Sequence, residues 1–273
     1  MGEHLTAKQI RLSLENDGYF VWRSAVDPRL CRAVLDAIGE DLGIWVKKPE
    51  TWDLVSSQLD QVPVWGHQSQ WDIRQLPELH DLWAAIWGTP KLWTDLNSCR
   101  FTPPWKAGRA EPLPIHWDVD PRDRKQLWYQ GVLALTAAPL GAGGFRCVPA
   151  LMHNHDRWPS TWTTTDYGTE YRPPVIEDEV IEVPVDVGDL IVFSSRLPHG
   201  TGRNSTKTPR VVFYLSMFPE GSPEEAATRV AEYQTGIAPT WWRWKPGHDR
   251  AEPWPPARLN QQGLRLLGRH RWP

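Results

Sequence analysis

The chain has 273 residues, with 30 Lys+Arg against 33 Asp+Glu, so its formal net charge is −3. Hydrophobic residues make up 40% and charged residues 23%, which is typical of a folded chain with a full core and excludes a disordered one. The near-neutral charge argues against nucleic acid as the main partner, because binding to phosphates needs a basic surplus. No apolar run approaches the length of a membrane span, so we expect no membrane partner.

The cysteines indicate a reducing compartment. Cys31, Cys99 and Cys147 are odd in number, widely separated and not arranged as CxxC, which disfavours a disulfide framework or a zinc finger. The first residues include no apolar signal region. We therefore expect a cytoplasmic protein.

Residues 1–97 are predicted to form a mostly helical N-terminal part. Thr6 and Gln9 have the spacing of a capping box, and Leu5 and Ile10 that of a hydrophobic staple, so a helix should begin at Thr6 and end near Gly18. Further elements are indicated by apolar patterning and by helix start and stop residues. They are a strand at 19–22, a helix from Asp27-Pro28 to Gly39 and a helix within 77–93.

Residues 98–217 change to short apolar runs separated by Gly and Pro, which favours a β-sandwich or barrel. The polar segment 154–179 interrupts them and is predicted to be a surface insertion. The candidate strands are 99–105, 113–118, 127–136, 143–149, 180–185, 189–194 and 209–217.

Residues 218–273 are predicted to close the same single domain, 1–273. From residue 238 the tail is rich in Trp, Pro and Arg, and Trp241–Trp244 is expected to pack onto the body rather than to bind nucleic acid. A closing helix is indicated by Leu259, Leu264, Leu266 and Leu267.

Two histidines and one aspartate are candidate metal ligands. His116 and Asp118 lie two apart at the end of a candidate strand, so their side chains would point to one face, with Trp117 on the other. His199 comes after the apolar strand 189–194. Two His and one carboxylate form the facial triad of non-haem Fe(II) oxygenases, although a solvent-facing loop histidine is an equally simple interpretation of His199 alone.

Arg210 is a candidate anion-binding residue because it begins a strongly apolar strand, 11 residues after His199. A guanidinium there is either exposed at the strand end or paired with a buried anion, to which it would donate two hydrogen bonds. Thr201 lies close to His199 in the sequence and could donate a hydroxyl hydrogen bond to the same anion.

Together these blocks resemble the phytanoyl-CoA dioxygenase (PhyH)-like family of Fe(II)- and 2-oxoglutarate-dependent oxygenases. The resemblance extends from Leu5-Thr6 and Gly18–Val21 through the His116/Asp118 pair. It continues with Gly143–Ala150, Gly188–Leu190, His199–Thr201 and Pro209-Arg210.

The resemblance implies a double-stranded β-helix (jelly roll, cupin-like) with flanking helices. It implies that His116, Asp118 and His199 hold Fe(II), and that Arg210, helped by Thr201, binds the distal carboxylate of 2-oxoglutarate. Thr136 is the candidate for the keto-acid end of this cosubstrate. The implied reaction consumes O2 and 2-oxoglutarate, releases succinate and CO2, and hydroxylates or otherwise oxidises a small organic metabolite.

Other functions stay open at this point. The carboxylate of Asp118 argues against the related halogenases, which have a small residue there. A cupin-type metal enzyme that needs no 2-oxoglutarate, or an inactive binding protein on the same scaffold, are the alternatives. His153 and His155 are interpreted as loop residues, because the block after Gly143-Gly144 departs from the family pattern. Candidates for the cavity rim are Trp71, Trp105, Trp128, Trp158 and Trp162. The oligomeric state is not readable from the sequence.

Overall fold

The structure is a computed structural model. It describes residues 6–55, 61–62, 64–107, 109, 111–119, 127–153, 163–165, 168–170, 173, 177–239 and 254–273. Several residues with expectations attached lie outside the described residues: Leu5, His155, Trp158, Trp162 and Trp241–Trp244.

The helices flank the strand-rich centre of the chain. The predicted capping box is confirmed, because the Thr6 hydroxyl accepts from Gln9 N while the Gln9 side chain accepts from Thr6 N. Asp27 caps the second helix by accepting from Arg29 N. The helices are α1 (Ala7–Asn16), α2 (Pro28–Leu42), α3 (Gln68–Arg74), α4 (Pro77–Trp87), α5 (Pro223–Thr235) and α6 (Gln261–Leu267). Short 3₁₀ helices cover Pro49–Leu54, Pro149–Leu151 and Glu177–Glu179.

One predicted helix end, that at Gly39, is wrong. α2 continues through Gly39 to Leu42, and the left-handed residue that ends it is Gly43, at φ 70°. Gly39 instead allows the ring of Trp45 to approach, since a Cβ at Gly39 would lie 2.5 Å from that ring. The helix predicted within 77–93 is confirmed as α4, and it ends at Trp87 because Gly88 adopts the left-handed conformation.

The strands form two facing sheets and two further pairs of strands. The larger sheet has the order β1-β10-β5-β12-β4-β2, the smaller β11-β6-β9, and the two pairs are β13-β3 and β7-β8. The strands before residue 140 are β1 (Tyr19–Trp22), β2 (Gln61–Val62), β3 (Leu92–Thr94), β4 (Cys99–Thr102) and β5 (Tyr129–Ala134). Those after it are β6 (Phe145–Cys147), β7 (Thr163–Thr165), β8 (Gly168–Glu170), β9 (Ile181–Val183), β10 (Leu190–Ser194), β11 (His199–Thr201), β12 (Arg210–Tyr214) and β13 (Met217–Pro219).

Several strand predictions need correction. The predicted strand 113–118 is not a continuous strand, because Pro114 has no N–H to donate. It pairs with β11 only through a bridge between His116 and His199 and through Thr201 N donating to Leu113 O at 2.9 Å. The predicted strand 99–105 stops before Pro103. The segment 209–217 divides into β12 and β13, and the insertion 154–179 contains the pair β7-β8.

The space between the two sheets forms one core, and the outer face of the larger sheet forms another with the helices. Val132, Ile191 and Val212 of the larger sheet pack against Phe145 and Val183 of the smaller one. Alternate residues of the larger sheet point outward, where they pack with α1, α2 and α4. The predicted mainly β fold with flanking helices and a jelly-roll core is confirmed.

The C-terminal part packs beside the N-terminal helices. The predicted closing helix is present as α6, and Leu266 and Leu267 are fully buried. Among the described residues, no helix has the length and apolarity that crossing a membrane requires. Cys31, Cys99 and Cys147 are buried free thiols.

Candidate metal and cosubstrate site

The three predicted metal ligands come together in a group of side chains that we call the metal cluster. One ligand atom from each of His116, Asp118 and His199 lies within 4.8 Å of the others. His116 Nε2 is 3.1 Å from Asp118 Oδ1, and His199 Nε2 is 3.7 Å from Asp118 Oδ2. The imidazoles are nearly buried, whereas the Asp118 side chain is 32% exposed, so the metal cluster opens to solvent on the Asp118 side.

Backbone pairing fixes the spacing of the two histidines. His116 N donates to His199 O, and His199 N donates to His116 O, both at 2.9 Å. This reciprocal pair joins the segment before Trp117 to the first residue of β11. The ligands are therefore held by the edge of the smaller sheet, not by a free loop.

Each imidazole is oriented by a carbonyl. His116 Nδ1 lies 2.9 Å from Pro114 O, and His199 Nδ1 lies 3.1 Å from Leu197 O. A carbonyl can only accept, so each Nδ1 carries a proton, and Nε2 is the nitrogen of each ring that faces Asp118 and could bind a metal. This is the arrangement that metal-binding histidines require.

The protonation states also suit a metal. Burial lowers the pKa of His199 to about 4, against the opposing effect of Asp118, so this imidazole is neutral at pH 7. Partial burial acts to raise the pKa of Asp118. The adjacent His199 and His116 and a hydrogen bond from Gln130 outweigh it, so the pKa lies below its usual range. The cluster thus offers a neutral imidazole, that of His199, and a carboxylate, beside the second imidazole of His116.

Gln130 is a site residue that the sequence analysis did not identify. Its Nε2 donates to Asp118 Oδ2 at 2.6 Å. It lies on β5, opposite Phe193 of β10, on the face that points between the sheets. A polar residue alternating with Val132 and Ala134 was the signal in the sequence.

Trp117 points away from the metal cluster, as predicted. Its side chain is fully buried and packs with Val148 and Leu151, and its Nε1 donates to Arg196 O at 2.8 Å.

Arg210 is buried, not exposed at a strand end. It is 4% exposed and lies on the same face of β12 as Val212 and Tyr214, between the sheets. In the part of the chain that the structure describes, its buried Nη1 has no hydrogen-bond partner. Burial lowers the pKa of Arg210 to about 10, which is still high enough for a full charge at pH 7. A buried cation with an unsatisfied donor is an appropriate site for an anion.

The two candidate threonines differ in position. Thr201 lies two residues after His199 on β11, so both side chains share a face; its hydroxyl accepts from Leu113 N at 3.2 Å and keeps its own proton to donate. The Thr136 hydroxyl instead donates to Pro209 O at 3.2 Å and accepts from Val211 N at 2.8 Å. Its donor is used there, so the structure gives no support to a contact between Thr136 and a cosubstrate.

The described tryptophans that were predicted at a cavity rim lie in different surroundings. Trp71 is fully buried and packs edge-on against Tyr233, with ring centroids 5.4 Å apart, so it belongs to the core and that expectation is wrong. Trp105 lines a cavity beyond Thr201. Trp128 is 37% exposed, directly before β5. His153 is exposed, in agreement with a loop residue.

Comparison with known proteins gives a family and a fold. Residues 14–212 match the family model described as phytanoyl-CoA dioxygenase (PhyH), a span that includes the metal cluster and Arg210. No curated protein matches the sequence.

Solved structures of similar fold cover most of the chain. The epimerase SnoN, crystallised with Fe3+, alpha ketoglutarate and nogalamycin RO, is 17% identical with a TM-score of 0.59, over 93% of this chain and 95% of SnoN. EvdO2 from Micromonospora carbonacea var. aurantiaca is 17% identical, with a TM-score of 0.57 over 82% of this chain and 98% of its own. The hypothetical protein JW0805 from Escherichia coli is 16% identical, with a TM-score of 0.65 over 97% of this chain and 82% of its own.

Proposed function

Because the chain belongs to the phytanoyl-CoA dioxygenase (PhyH) family, we propose that it is an Fe(II)- and 2-oxoglutarate-dependent oxygenase acting on a small organic metabolite. The observation that carries this proposal is the combination of two groups that face the space between the two sheets. A cluster of two imidazoles and a carboxylate lies at one end of β11, and the buried Arg210, with an unsatisfied Nη1, begins the next strand.

The donor set fits iron. Two neutral nitrogen ligands and one carboxylate are typical of non-haem Fe(II) oxygenases and leave three positions for other ligands. His116, Asp118 and His199 would hold the metal. Pro114 O and Leu197 O orient the two rings. SnoN, a structural relative, was crystallised with Fe3+ and alpha ketoglutarate, which supports the same pair of groups here.

The residues around Arg210 fit a dicarboxylate. A carboxylate bound to Arg210 would satisfy the buried Nη1 and neutralise the desolvated charge. Thr201 would donate its hydroxyl to the same group, since that proton is not used by its bond to Leu113 N. A dicarboxylate can pair with this cation and still present a second carboxylate to the metal cluster, which a monocarboxylate cannot do.

Iron with bound 2-oxoglutarate would supply the power to oxidise a C–H bond of the substrate at the expense of O2. The protein keeps the ligands oriented and shields their inner side from water. The rings of Phe193 and Phe145 lie 4.5 and 5.9 Å from that of His199 and close the inner side of the metal cluster. Gln130 holds one oxygen of Asp118, which leaves the other for the metal.

The deciding experiment is an anaerobic titration of the protein with Fe(II) and 2-oxoglutarate, observed through the visible charge-transfer band of the chelated cosubstrate. We expect the band to appear only with both ligands present. R210A should weaken 2-oxoglutarate binding at least tenfold, because it removes a buried charge partner. R11A, which changes an exposed arginine on α1, is the matched control and should bind normally.

Succinate release across a panel of small metabolites then separates the alternatives. Turnover that ignores 2-oxoglutarate would indicate a cupin-type metal enzyme. Absence of both the band and any turnover, despite correct folding, would indicate an inactive binding protein. Because SnoN is an epimerase, the products should be analysed for inversion at carbon as well as for hydroxylation, desaturation and cyclisation.

A further inference from the structure

A cavity of about 380 Å³ opens beyond Thr201, on the side away from the metal cluster. Thr201 and Arg203 at the end of β11 form one wall, and Arg100 and Thr102 of β4 form another. Because β11 runs from His199 to Thr201, the cavity lies at the opposite end of this strand from the imidazole. Its volume is within the range of small-molecule sites.

The walls of this basic cavity carry an excess of positive charge. The acidic side chains that line it are Asp53 and Glu111. The basic side chains that line it are Arg100, Lys106, Arg109 and Arg203. Among the lining residues that the structure describes, four cations and two anions leave a net charge of +2 around a concave surface, which raises the local concentration of anions.

The guanidinium of Arg203 is held in place before any ligand arrives. It lies 4.2 Å from the ring centre of Trp105 and donates two hydrogen bonds to Glu111, at 2.9 and 2.8 Å. Arg109 is held likewise, because it donates to Asp53 at 2.6 Å and to Pro104 O at 2.8 Å. Fixed donors bind at lower entropic cost than mobile ones.

Arg100 connects the basic cavity with the sheet interior. In the register between β4 and β12, Thr102 lies opposite Arg210 and Arg100 lies opposite Val212, so both β4 side chains share the inner face with Arg210. The charge of Arg100 also acts to lower the pKa of Arg210, which indicates that the two guanidinium groups are near each other. The positive charges of Arg100 and Arg210 therefore favour anionic ligands both in the basic cavity and between the sheets.

We propose that the basic cavity binds an anionic small organic molecule, a carboxylate or a phosphate ester, at a site next to the one proposed for 2-oxoglutarate, with Thr201 between the two. The metal ligands and Arg210 are not among the residues that line it, within the described part of the chain. Binding depends on the charged walls and not on iron, so the inference can be tested whether or not the proposed function is correct.

The test uses Ala107, an exposed residue of the cavity wall. A107E adds a negative charge to the wall, and A107Q adds the same volume without charge. Binding of phenyl phosphate and of benzoate to the full chain is measured by isothermal titration calorimetry, with benzyl alcohol as the uncharged probe. We expect one or both anions to bind, the alcohol not to bind, and A107E to weaken the anion about tenfold while A107Q changes it less than twofold.

The two anions distinguish a phosphate site from a carboxylate site. Binding should weaken as salt is added, since exposed cations are screened. Equal binding of the alcohol, no binding of either anion, or equal effects of the two Ala107 variants would overturn the proposal.

Competition with 2-oxoglutarate tests the separation of the two sites. We expect R210A to keep the affinity for the anionic probe while it loses affinity for 2-oxoglutarate. Direct displacement of the probe by 2-oxoglutarate, together with loss of both ligands in R210A, would show that the basic cavity is only the outer end of the cosubstrate site.

Discussion

The hydrogen bond from Gln130 to Asp118 gives the sharpest prediction, for Q130L. The substitution keeps the size of the side chain and removes the donor that holds Asp118 Oδ2 at 2.6 Å. A hydrogen bond to a charged group contributes about 1.5–3 kcal/mol. Because Asp118 is 32% exposed, water can replace part of that contribution, and we expect a loss of about 1.4 kcal/mol, or tenfold, in metal affinity.

The assay is an anaerobic Fe(II) titration of the wild type and Q130L at saturating 2-oxoglutarate. The matched control is Q68L. Gln68 also donates its Nε2 to an aspartate, Asp72, at 2.7 Å, but on the helix α3. Q68L should lower the unfolding temperature, because it removes this hydrogen bond, and should leave the Fe(II) affinity unchanged.

A purely structural role for Gln130 would reverse this pattern. In that case Q130L would lower the unfolding temperature and bind Fe(II) with normal affinity. That result would refute the view that Gln130 orients the carboxylate for the metal.

Three further predictions test a close contact on α2, the hydrogen bonds beside Arg210 and the buried carboxyl of Asp95. G39A should destabilise the protein by about 1–3 kcal/mol in urea unfolding, because the added Cβ would lie 2.5 Å from the Trp45 ring; normal stability would contradict the close approach. T136V should raise the KM for 2-oxoglutarate and lower stability, because it removes two bonds to the backbone on either side of Arg210, whereas T136S should restore both. Burial raises the pKa of Asp95 to about 7, so the unfolded chain loses this proton first and stability should fall by at most about 1.4 kcal/mol per pH unit between about pH 4 and 7. D95N should remove that slope in denaturation measured across this range, and an unchanged slope would assign it to other groups.

The metal cluster could be predicted from the sequence because it depends on alternation and on order along the chain. His116 and Asp118 are two apart, and His199 comes after an unmistakably apolar strand. Gln130 could not be predicted with the same ease, since it is one polar residue in a strand. Its role depends on the folded chain bringing Asp118 within hydrogen-bond distance of β5, and the local pattern of the strand carries no sign of that contact.

The predicted strand boundaries are wrong where local and long-range effects conflict. Pro112 and Pro114 interrupt the ladder of hydrogen bonds beside β11, yet the residues between and after them still occupy the edge of the smaller sheet. The helix predicted within 77–93 has no exact predicted end, because the apolar residues of β3 follow closely on those of α4. Gly88 ends that helix, and pairing with β13 makes residues 92–94 a strand instead.

The Thr136 expectation shows a second way in which sequence patterns mislead. A threonine at the end of a strand near Arg210 has the right chemistry for a carboxylate. The hydroxyl is nevertheless occupied by Pro209 O and Val211 N, because β5 and β12 are neighbours in the larger sheet. Sequence identifies which groups could bind a ligand, whereas packing decides which of them are still available.

The reciprocal hydrogen bonds between His116 and His199 couple iron loading to the integrity of the smaller sheet. Separating the two imidazoles would require that edge of the sheet to open. A bound cation would therefore oppose the opening, and its affinity would appear as added resistance to heat and to proteases. Protection of the His116 and His199 amides from hydrogen exchange should increase with the concentration of free Fe(II) under anaerobic conditions.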